Sequence, residues 1–366
     1  MDTPLDILRL IRSRRVGAVT FHRLMEEHGS ARAALLALPE IARASGVERY
    51  TACPEEVAAA ELRQGQSVGA RLICWGDDDY PVSLASIADA PPVLWAKGDT
   101  TVLARPMVAL VGARNASSLG LRMARKLAFG LAEAGQVVVS GLARGIDTEA
   151  HGAALDGGTV AVMAGGIDVI YPAENAHLAG RITETGCLLT EQPPGVEPQA
   201  RHFPLRNRIV SGLAHSVVVV EAAARSGSLI TARDALDQGR EVFAVPGHPF
   251  DARAAGCNQL IRDGATLLTQ ASDVLGATGQ QVINFGTPVR RRVAPAPRPA
   301  PVPLEGLAQR ILDRLGPSPL AEDLLIRDLG LTPAQLAPEL LVLELEGAVE
   351  RQAGGMLVRT LHPSSH

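Results

Sequence analysis

Three side chains that could carry acid–base catalysis follow one short apolar run. Asp147, Glu149 and His151 come directly after VVSGLARGI, and a carboxylate beside a histidine can transfer protons in the hydrolysis of a nucleotide. A structural role is the alternative, because Asp147 and Thr148 stand where a helix is expected to begin, and a carboxylate there caps free amide groups. We favour the capping role, and a nucleotide-processing enzyme stays open as the second interpretation.

Small and polar residues follow three of the apolar runs. They are Gly112 and Asn115 after the first run, Ser140 and Gly141 after the second, and Ser226, Gly227 and Ser228 after the run that ends at Glu221. Small residues let backbone N–H groups approach an anion, and a helix that follows adds its positive end. The pattern therefore predicts phosphate binding. The first loop, GARNASSLG, lacks the G-x-G-x-x-G spacing, which makes a nicotinamide enzyme a poor interpretation.

Guanidinium groups lie in or near the same loops. The candidates are Arg114, Arg144, Arg201, Arg206, Arg208 and Arg225. Phe203 stands among three of them, and a ring on which a base can stack, surrounded by phosphate partners, is the pattern of single-strand binding. An isolated Phe is more often a core residue, so this stretch alone is a weak signal.

The composition limits the other functions. A net charge of −4 and a pI near 6.2 show no general basic excess, so any anion site must be local. The four cysteines have no C-x-x-C spacing and the nine histidines no metal-ligand spacing, so we expect no metal and no cofactor. No segment has the length of a signal peptide or a membrane span, so the cytoplasm is the expected location, without membrane contact.

The candidate phosphate-binding loops can act together only if a β-sheet brings them to one edge. From residue 107, runs that are apolar at nearly every position alternate with helical segments, which indicates an α/β fold with a doubly wound, mostly parallel sheet. The predicted strands are MVALVG, QVVVSG, GTVAVMAGG, GCLLTE, HSVVVVEAA, REVFAVPG and ATLLT. Ligands of such folds bind at the carboxyl ends of the strands.

Four segments are predicted along the chain. Residues 1–65 form a helical domain, 66–280 the sheet domain, 281–303 a Pro- and Arg-rich linker, and 304–366 a winged helix. In the first segment Val16, Val19, Leu24 and Met25 fall near one helical face after a glycine turn, as in a helix-hairpin-helix; a small interaction module is the plainer interpretation. Residues 304–362 hold five basic and nine acidic residues, which favours a protein-contacting winged helix over a DNA-reading one.

Seven ordered motifs between about 80 and 270 resemble the DNA processing protein A family, DprA or Smf. They are YPVSL...PPVLWAKGD, ALVGARNAS, VVSGLARGIDTEAHGAAL, GTVAVMAGGIDVIYPAENAHL, FPLRNRIVSGL, RSGSLITARDALDQGREVFAVPG and GCNQLIRDGATLL. The resemblance implies an extended Rossmann domain, with an N-terminal sterile-alpha-motif-like domain and a C-terminal winged helix in some members. This chain has that layout.

The resemblance also implies a non-catalytic protein that binds single-stranded DNA during natural transformation. Such a protein brings the recombinase RecA onto the strand, displaces single-strand binding protein and is usually a homodimer. The family's contacts would fall on Gly112, Arg114, Phe203 and the loop at Arg225, Ser226 and Gly227, with Arg201 as the basic residue before the ring and Arg206–Arg208 in the R-N-R motif. RSGSLITARDA lacks the catalytic Glu of related glycosidases. An adaptor whose terminal domains recruit partners is a third possibility.

Overall fold

The computed structural model describes residues 2–44, 49–277, 306–316, 318–345, 348–352 and 356–360. The predicted linker, 281–303, lies outside these residues. No helix in the described part of the chain is long and apolar enough to cross a membrane.

Four helices form the N-terminal unit: α1 (Pro4–Arg12), α2 (Ala18–His28), α3 (Ala31–Ala44) and α4 (Glu55–Ser67). Leu8, Phe21 and Leu24 are fully buried in its core, as the helical spacing requires. Val19 is 64% exposed, so its predicted place on the packed face was wrong; Phe21, on the opposite side of α2, is buried.

A nine-stranded sheet forms the centre of the part of the chain that the structure describes. Its strands are β1 (Arg71–Cys74), β2 (Val93–Gly98), β3 (Met107–Val111), β4 (Val137–Ser140), β5 (Thr159–Val162), β6 (Cys187–Thr190), β7 (Ser216–Val219), β8 (Glu241–Ala244) and β9 (Thr266–Leu267), in the order β1-β2-β6-β5-β4-β3-β7-β8-β9. The parallel α/β prediction is confirmed, since β3 to β9 pair in parallel. The antiparallel strands β1 and β2 were not predicted.

Helices cover both faces of the sheet. They are α5 (Val82–Ala85), α6 (Ser118–Glu133), α7 (Ile146–Ala154), α8 (Ala176–Thr185), α9 (His202–Leu213), α10 (Ser228–Asp237), α11 (Ala255–Arg262) and α12 (Ala271–Ala277). The apolar sides of α6, α7 and α12 pack on one face, while those of α5, α9, α10 and α11 pack on the other. Burial of both faces explains why the strand sequences are apolar at almost every position.

The direction of chain progression reverses at β3. From β3 the chain passes through β4, β5 and β6 to one side, and it then returns to form β7 on the other side of β3. The helices that follow β3 and β7 therefore leave toward opposite faces and open a crevice between the two loops, which is where open α/β sheets bind ligands.

The C-terminal unit is a winged helix, as predicted. It consists of α13 (Leu307–Arg314), β10 (Leu320–Ala321), α14 (Glu322–Leu329), α15 (Pro333–Leu345), β11 (Val349–Gln352) and β12 (Met356–Arg359); β10 was not predicted. The unit contacts the sheet domain at two loops: Arg314 Nη1 donates to Ala116 O at 2.7 Å, and Arg253 Nη1 donates to Asp313 O at 2.6 Å.

Candidate nucleic-acid interface

An open groove of about 610 Å³ lies at the carboxyl ends of β3, β4 and β7. These strands flank the point where the chain reverses, so the position agrees with the site expected for the fold. The predicted residues that line the groove are Gly112, Arg114, Asn115, Gly141, Phe203, Arg206, Arg225, Ser226, Gly227 and Ser228. Ser140, Arg144, Arg201 and Arg208 do not line it; Arg144 lines a smaller cavity beside it.

The ring of Phe203 forms one wall of the groove with a cation against it. The guanidinium carbon of Arg114 lies 5.0 Å from the ring centroid, within the range of a cation–π contact. The ring of Tyr171 meets Phe203 edge-on, with centroids 5.9 Å apart. Phe203 is only partly buried and Arg114 is exposed, so both planar groups can be reached by a ligand.

The loop after β7 forms another part of the lining. Ser226 N donates to Ala223 O at 3.0 Å and Ser228 N to Ser226 Oγ at 3.4 Å, so in the described structure Gly227 offers the amide that is not engaged. Gly227 precedes α10, and a Cβ placed on it would meet no atom within 4 Å, so a ligand can approach its backbone closely. The hydroxyls of Ser226 and Ser228 lie 2.7 Å apart and hold the turn. The start of α10 points its positive end at this part of the lining, which favours an anion.

Two arginines of the groove have no carboxylate partner. Within the described residues, no ion pair or side-chain hydrogen bond is formed by the exposed guanidinium groups of Arg114 and Arg225. Arg144 differs, since its Nε donates to Glu174 Oε1 at 2.8 Å. Arg201 is exposed, and its Nε lies 3.4 Å from His202 Nε2.

Arg206 has a structural role that the sequence did not indicate, and its predicted contact with DNA stays a prediction because the residue also lines the groove. Its side chain is 7% exposed, and Nη1 donates to the carbonyls of Gly141 and, at 2.8 Å, Val162. These bonds occupy Nη1, while the guanidinium group as a whole lines the groove. A Cβ on Gly141 would lie 2.0 Å from Arg206 Nη1, which explains the glycine.

Ser140 and Arg208 are also committed elsewhere, so the structure does not support their predicted contacts. The Ser140 hydroxyl is fully buried and donates to Leu110 O at 2.6 Å. Arg208 pairs with Glu191 at 2.7 Å and with Asp89 at 3.0 Å, outside the groove lining.

Asp147 has the structural role predicted for it, but in a different form. Its Oδ2 accepts from the amides of Gly141 and Ala143, both at 3.2 Å, in the loop before α7 and not within the helix's first turn. Burial raises the pKa of the Asp147 carboxyl, while the Arg206 guanidinium and these amides oppose that rise. The carboxylate therefore braces the loop after β4.

Neither Glu149 nor His151 has the setting of a general acid or base. Glu149 Oε2 accepts from Arg125 at 2.6 Å. His151 is fully buried: its Nε2 accepts from Leu142 N at 3.3 Å, and its Nδ1 lies 2.8 Å from Thr159 Oγ1. Burial lowers the pKa of His151 to about 3, so the ring is neutral near pH 7 and holds the loop.

A buried carboxylate joins the loops after β3 and β7. Glu221 Oε1 accepts from the amide of Ser117 at 2.9 Å, and burial raises the pKa of this carboxyl. Gly120 leaves room for it, because a Cβ there would lie 2.6 Å from Glu221 Oε2. The loops after β3 and β7 are thus fixed relative to each other.

Tyr171 and Arg253 are among the groove-region residues that the sequence predictions omitted. Tyr171 follows β5 by one loop, and Arg253 lies in the loop after β8. Their position in the sequence could have identified them, because both residues lie in loops that follow the carboxyl ends of parallel strands, as the predicted loops do.

Three family models match the chain in order. They are a DprA-like N-terminal HHH domain over residues 2–63, DNA recombination-mediator protein A over 71–279, and a DprA winged helix domain over 294–355. The central model alone covers more than half of the chain.

Individual proteins agree with these models. DNA processing protein DprA of Bacillus subtilis is 44% identical over 245 residues, which is 66% of this chain and 81% of that protein. The X-ray structure of DprA from Streptococcus pneumoniae superposes with a TM-score of 0.64 at 38% identity, over 75% of this chain and 98% of that one. DprA from Helicobacter pylori, described for its single-stranded DNA binding mode, gives a TM-score of 0.53 at 28% identity, over 57% and 95%. The chain belongs to the DNA recombination-mediator protein A family, whose members are named DprA or Smf.

Proposed function

We propose that the groove binds single-stranded DNA without changing it chemically, and that the protein loads the recombinase RecA onto the bound strand. The observation that carries the proposal is the cation-backed ring of Phe203, which lines one groove together with the exposed Arg225 and the loop Ser226–Ser228. A strand needs partners for both its bases and its phosphates, and this groove offers both kinds.

The phosphate partners are Arg114, Arg225 and the loop Ser226–Ser228. Both guanidinium groups are exposed and without carboxylate partners in the described structure, so a phosphate need not displace an existing ion pair. A planar guanidinium group can donate two parallel hydrogen bonds to one phosphate, and a backbone amide can donate one. A net charge of −4 does not oppose this, because the Debye length at physiological salt is only about 8 Å.

The base partner is the ring of Phe203. In a duplex the base faces are stacked on each other, whereas in a single strand they are free to stack on an aromatic side chain. Tyr171 supports the ring from its edge and Arg114 covers part of its face. The similarity to a Helicobacter pylori protein studied for single-stranded DNA binding supports the same ligand.

The polar groups next to the groove favour binding over catalysis. Hydrolysis of a nucleotide needs a general acid or base that a substrate can reach. Asp147 lines the groove, but it is only 6% exposed and its Oδ2 is held by two loop amides. Glu149 is held by Arg125, and His151 by a buried network. A nucleotide-processing enzyme is therefore the weaker interpretation.

RecA loading rests on the family, whose central model is described as a recombination mediator. A homodimer and the displacement of single-strand binding protein stay predictions from the same resemblance. The four cysteines are free and buried, which is the usual state of thiols in the reducing cytoplasm, the location that we propose.

Replacing Arg114 with Ala should weaken binding to every oligonucleotide sequence alike. The loss of one phosphate contact should also reduce the slope of log K against log salt by about 0.7. Fluorescence anisotropy with labelled oligothymidylate and a mixed sequence, at several salt concentrations, measures both effects. Arg181→Ala is the control, since Arg181 is exposed on α8 outside the groove lining. Unchanged affinity in the Arg114 variant would remove this residue from the interface.

Replacing Phe203 with Ala should cost about 1–3 kcal/mol of binding free energy, the range for the loss of one base-stacking ring. Phe203→Trp should restore most of the affinity, because indole offers a larger stacking face. Phe129→Ala is the matched control, as Phe129 is exposed near the far end of α6. Equal affinity of the wild-type protein for duplex and single strand would contradict the stacking model.

Incubation with a panel of nucleoside monophosphates should release no free base. Chromatography of the mixtures measures this directly, with Glu149→Gln as the matched variant. Release of base by the wild-type protein that disappears in Glu149→Gln would reverse the choice between binder and enzyme.

The protein should shorten the lag before RecA hydrolyses ATP on DNA coated with single-strand binding protein. Loading places RecA on the strand and so removes the slow step of displacement. Phe203→Ala should lose this effect together with DNA binding. A protein that binds DNA tightly yet leaves the lag unchanged would contradict the loading role and leave the binding role intact.

A further inference from the structure

The loop after β8 carries a second pair of exposed rings at the same edge of the sheet. Phe250 is 73% exposed, and the exposed ring of His248 lies beside it with centroids 5.5 Å apart and planes tilted by 51°. Exposed aromatics are few in the described chain, where the large exposed Phe and Tyr residues are Phe129, Tyr171 and Phe250. Tyr171 and Phe250 both lie in loops at the carboxyl ends of parallel strands, one on each side of the groove.

Strand register places this loop directly beside the phosphate loop. β7 and β8 are parallel neighbours, and their last residues, Val219 and Ala244, are Cα partners. The two chains therefore leave the sheet side by side. Farther on, the Gly256 amide donates to Ala222 O at 2.8 Å, so the β8 loop packs against the start of the β7 loop. Arg253, from the β8 loop, lines the groove itself.

Hydrogen bonds hold the backbone of this loop and the imidazole ring of His248 in place. Asn258 clamps Gly247 with both ends of its amide, at 3.1 and 3.0 Å. His248 Nδ1 accepts from the amide of Phe250 at 3.3 Å, and His248 O accepts from the amide of Asp251 at 2.9 Å. Rings that are ordered before binding lose little conformational entropy on contact with a ligand.

The charged residues around the two rings allow a polyanion to lie beside them. Asp251 is the carboxylate nearest in sequence to Phe250, and it pairs with Arg253 at 3.1 Å, so its charge is compensated. Arg225 stands on the neighbouring β7 loop with a guanidinium group that has no carboxylate partner in the described structure.

We propose that His248 and Phe250 form a second stacking platform, which binds a base of the same DNA strand several nucleotides away from Phe203. The inference rests on the proposed function, because it extends the strand from the groove across the β7 loop to the β8 loop. A nucleobase is the occupant that this surface fits, since the rings adjoin a phosphate-binding wall and form a small tilted pair without an extended apolar face around it.

Oligothymidylates of increasing length, titrated against the full chain, test the platform. Phe250→Ala should weaken binding of long strands about fivefold to about a hundredfold, the range for one stacked base. It should leave unchanged the affinity for strands just long enough to fill the groove. Phe129→Ala is the matched control at an exposed Phe far from this edge.

Phe250→Trp supplies an independent measurement that does not depend on affinity. Stacking of a long strand on the introduced indole should quench the fluorescence of that indole. The indole introduced by Phe129→Trp should keep its fluorescence when the same strand binds. If Phe250→Ala binds every length as the wild type does and Phe250→Trp shows no quenching, the platform is wrong. In that case weakened binding by Phe203→Ala would still support the proposed function, whereas a wild-type protein that binds no strand would contradict the function itself.

Discussion

The buried guanidinium group of Arg206 is the interaction on which the groove depends. It joins α9 to the ends of β4 and β5 through the carbonyls of Gly141 and Val162. A buried cation is stable only when its donors are satisfied and a counter-charge is near, and Asp147 supplies that charge. Phe203 lies one helical turn before Arg206. The hydrogen bonds of Arg206 to Gly141 and Val162 therefore also fix the position of the Phe203 ring relative to the sheet edge.

Helical periodicity separates the two arginines that the R-N-R motif presents together. Positions three and four apart lie on one side of a helix, and Phe203, Arg206 and Asn207 accordingly all line the groove. Arg208 is five residues from Phe203, which turns it toward Glu191 and Asp89 instead. Charge and proximity in sequence predicted a shared role, whereas the helix geometry of α9 would have distinguished them. Burial of Arg206 could not be read from the sequence, because it depends on carbonyls contributed by two distant strands.

The sheet was the most predictable part of the molecule. Continuous apolar runs such as 107–111 and 216–219 identify strands covered on both faces, and the small residues after them identify the binding edge. β1 and β2 were not predicted because prolines and charged residues interrupt the apolar pattern around them. Their antiparallel pairing at the sheet edge also has no counterpart in the alternation of strands and helices. The strand order that creates the crevice came only from the structure, since it is a property of pairing and not of any one segment.

The winged helix is attached to the edge of the sheet that carries the groove. The carbonyls at the end of α13 accept from Arg253, while Arg314 reaches back to Ala116 in the loop after β3. The unit is thereby attached to two loops of the binding edge through main-chain carbonyls. Its residues 304–362 carry nine acidic and five basic groups, which disfavour phosphates at short range. With a strand bound in the groove as proposed, we expect the loops after β3 and β7 to attract its phosphates and the winged helix to repel them. A winged helix that contacts protein stays a prediction.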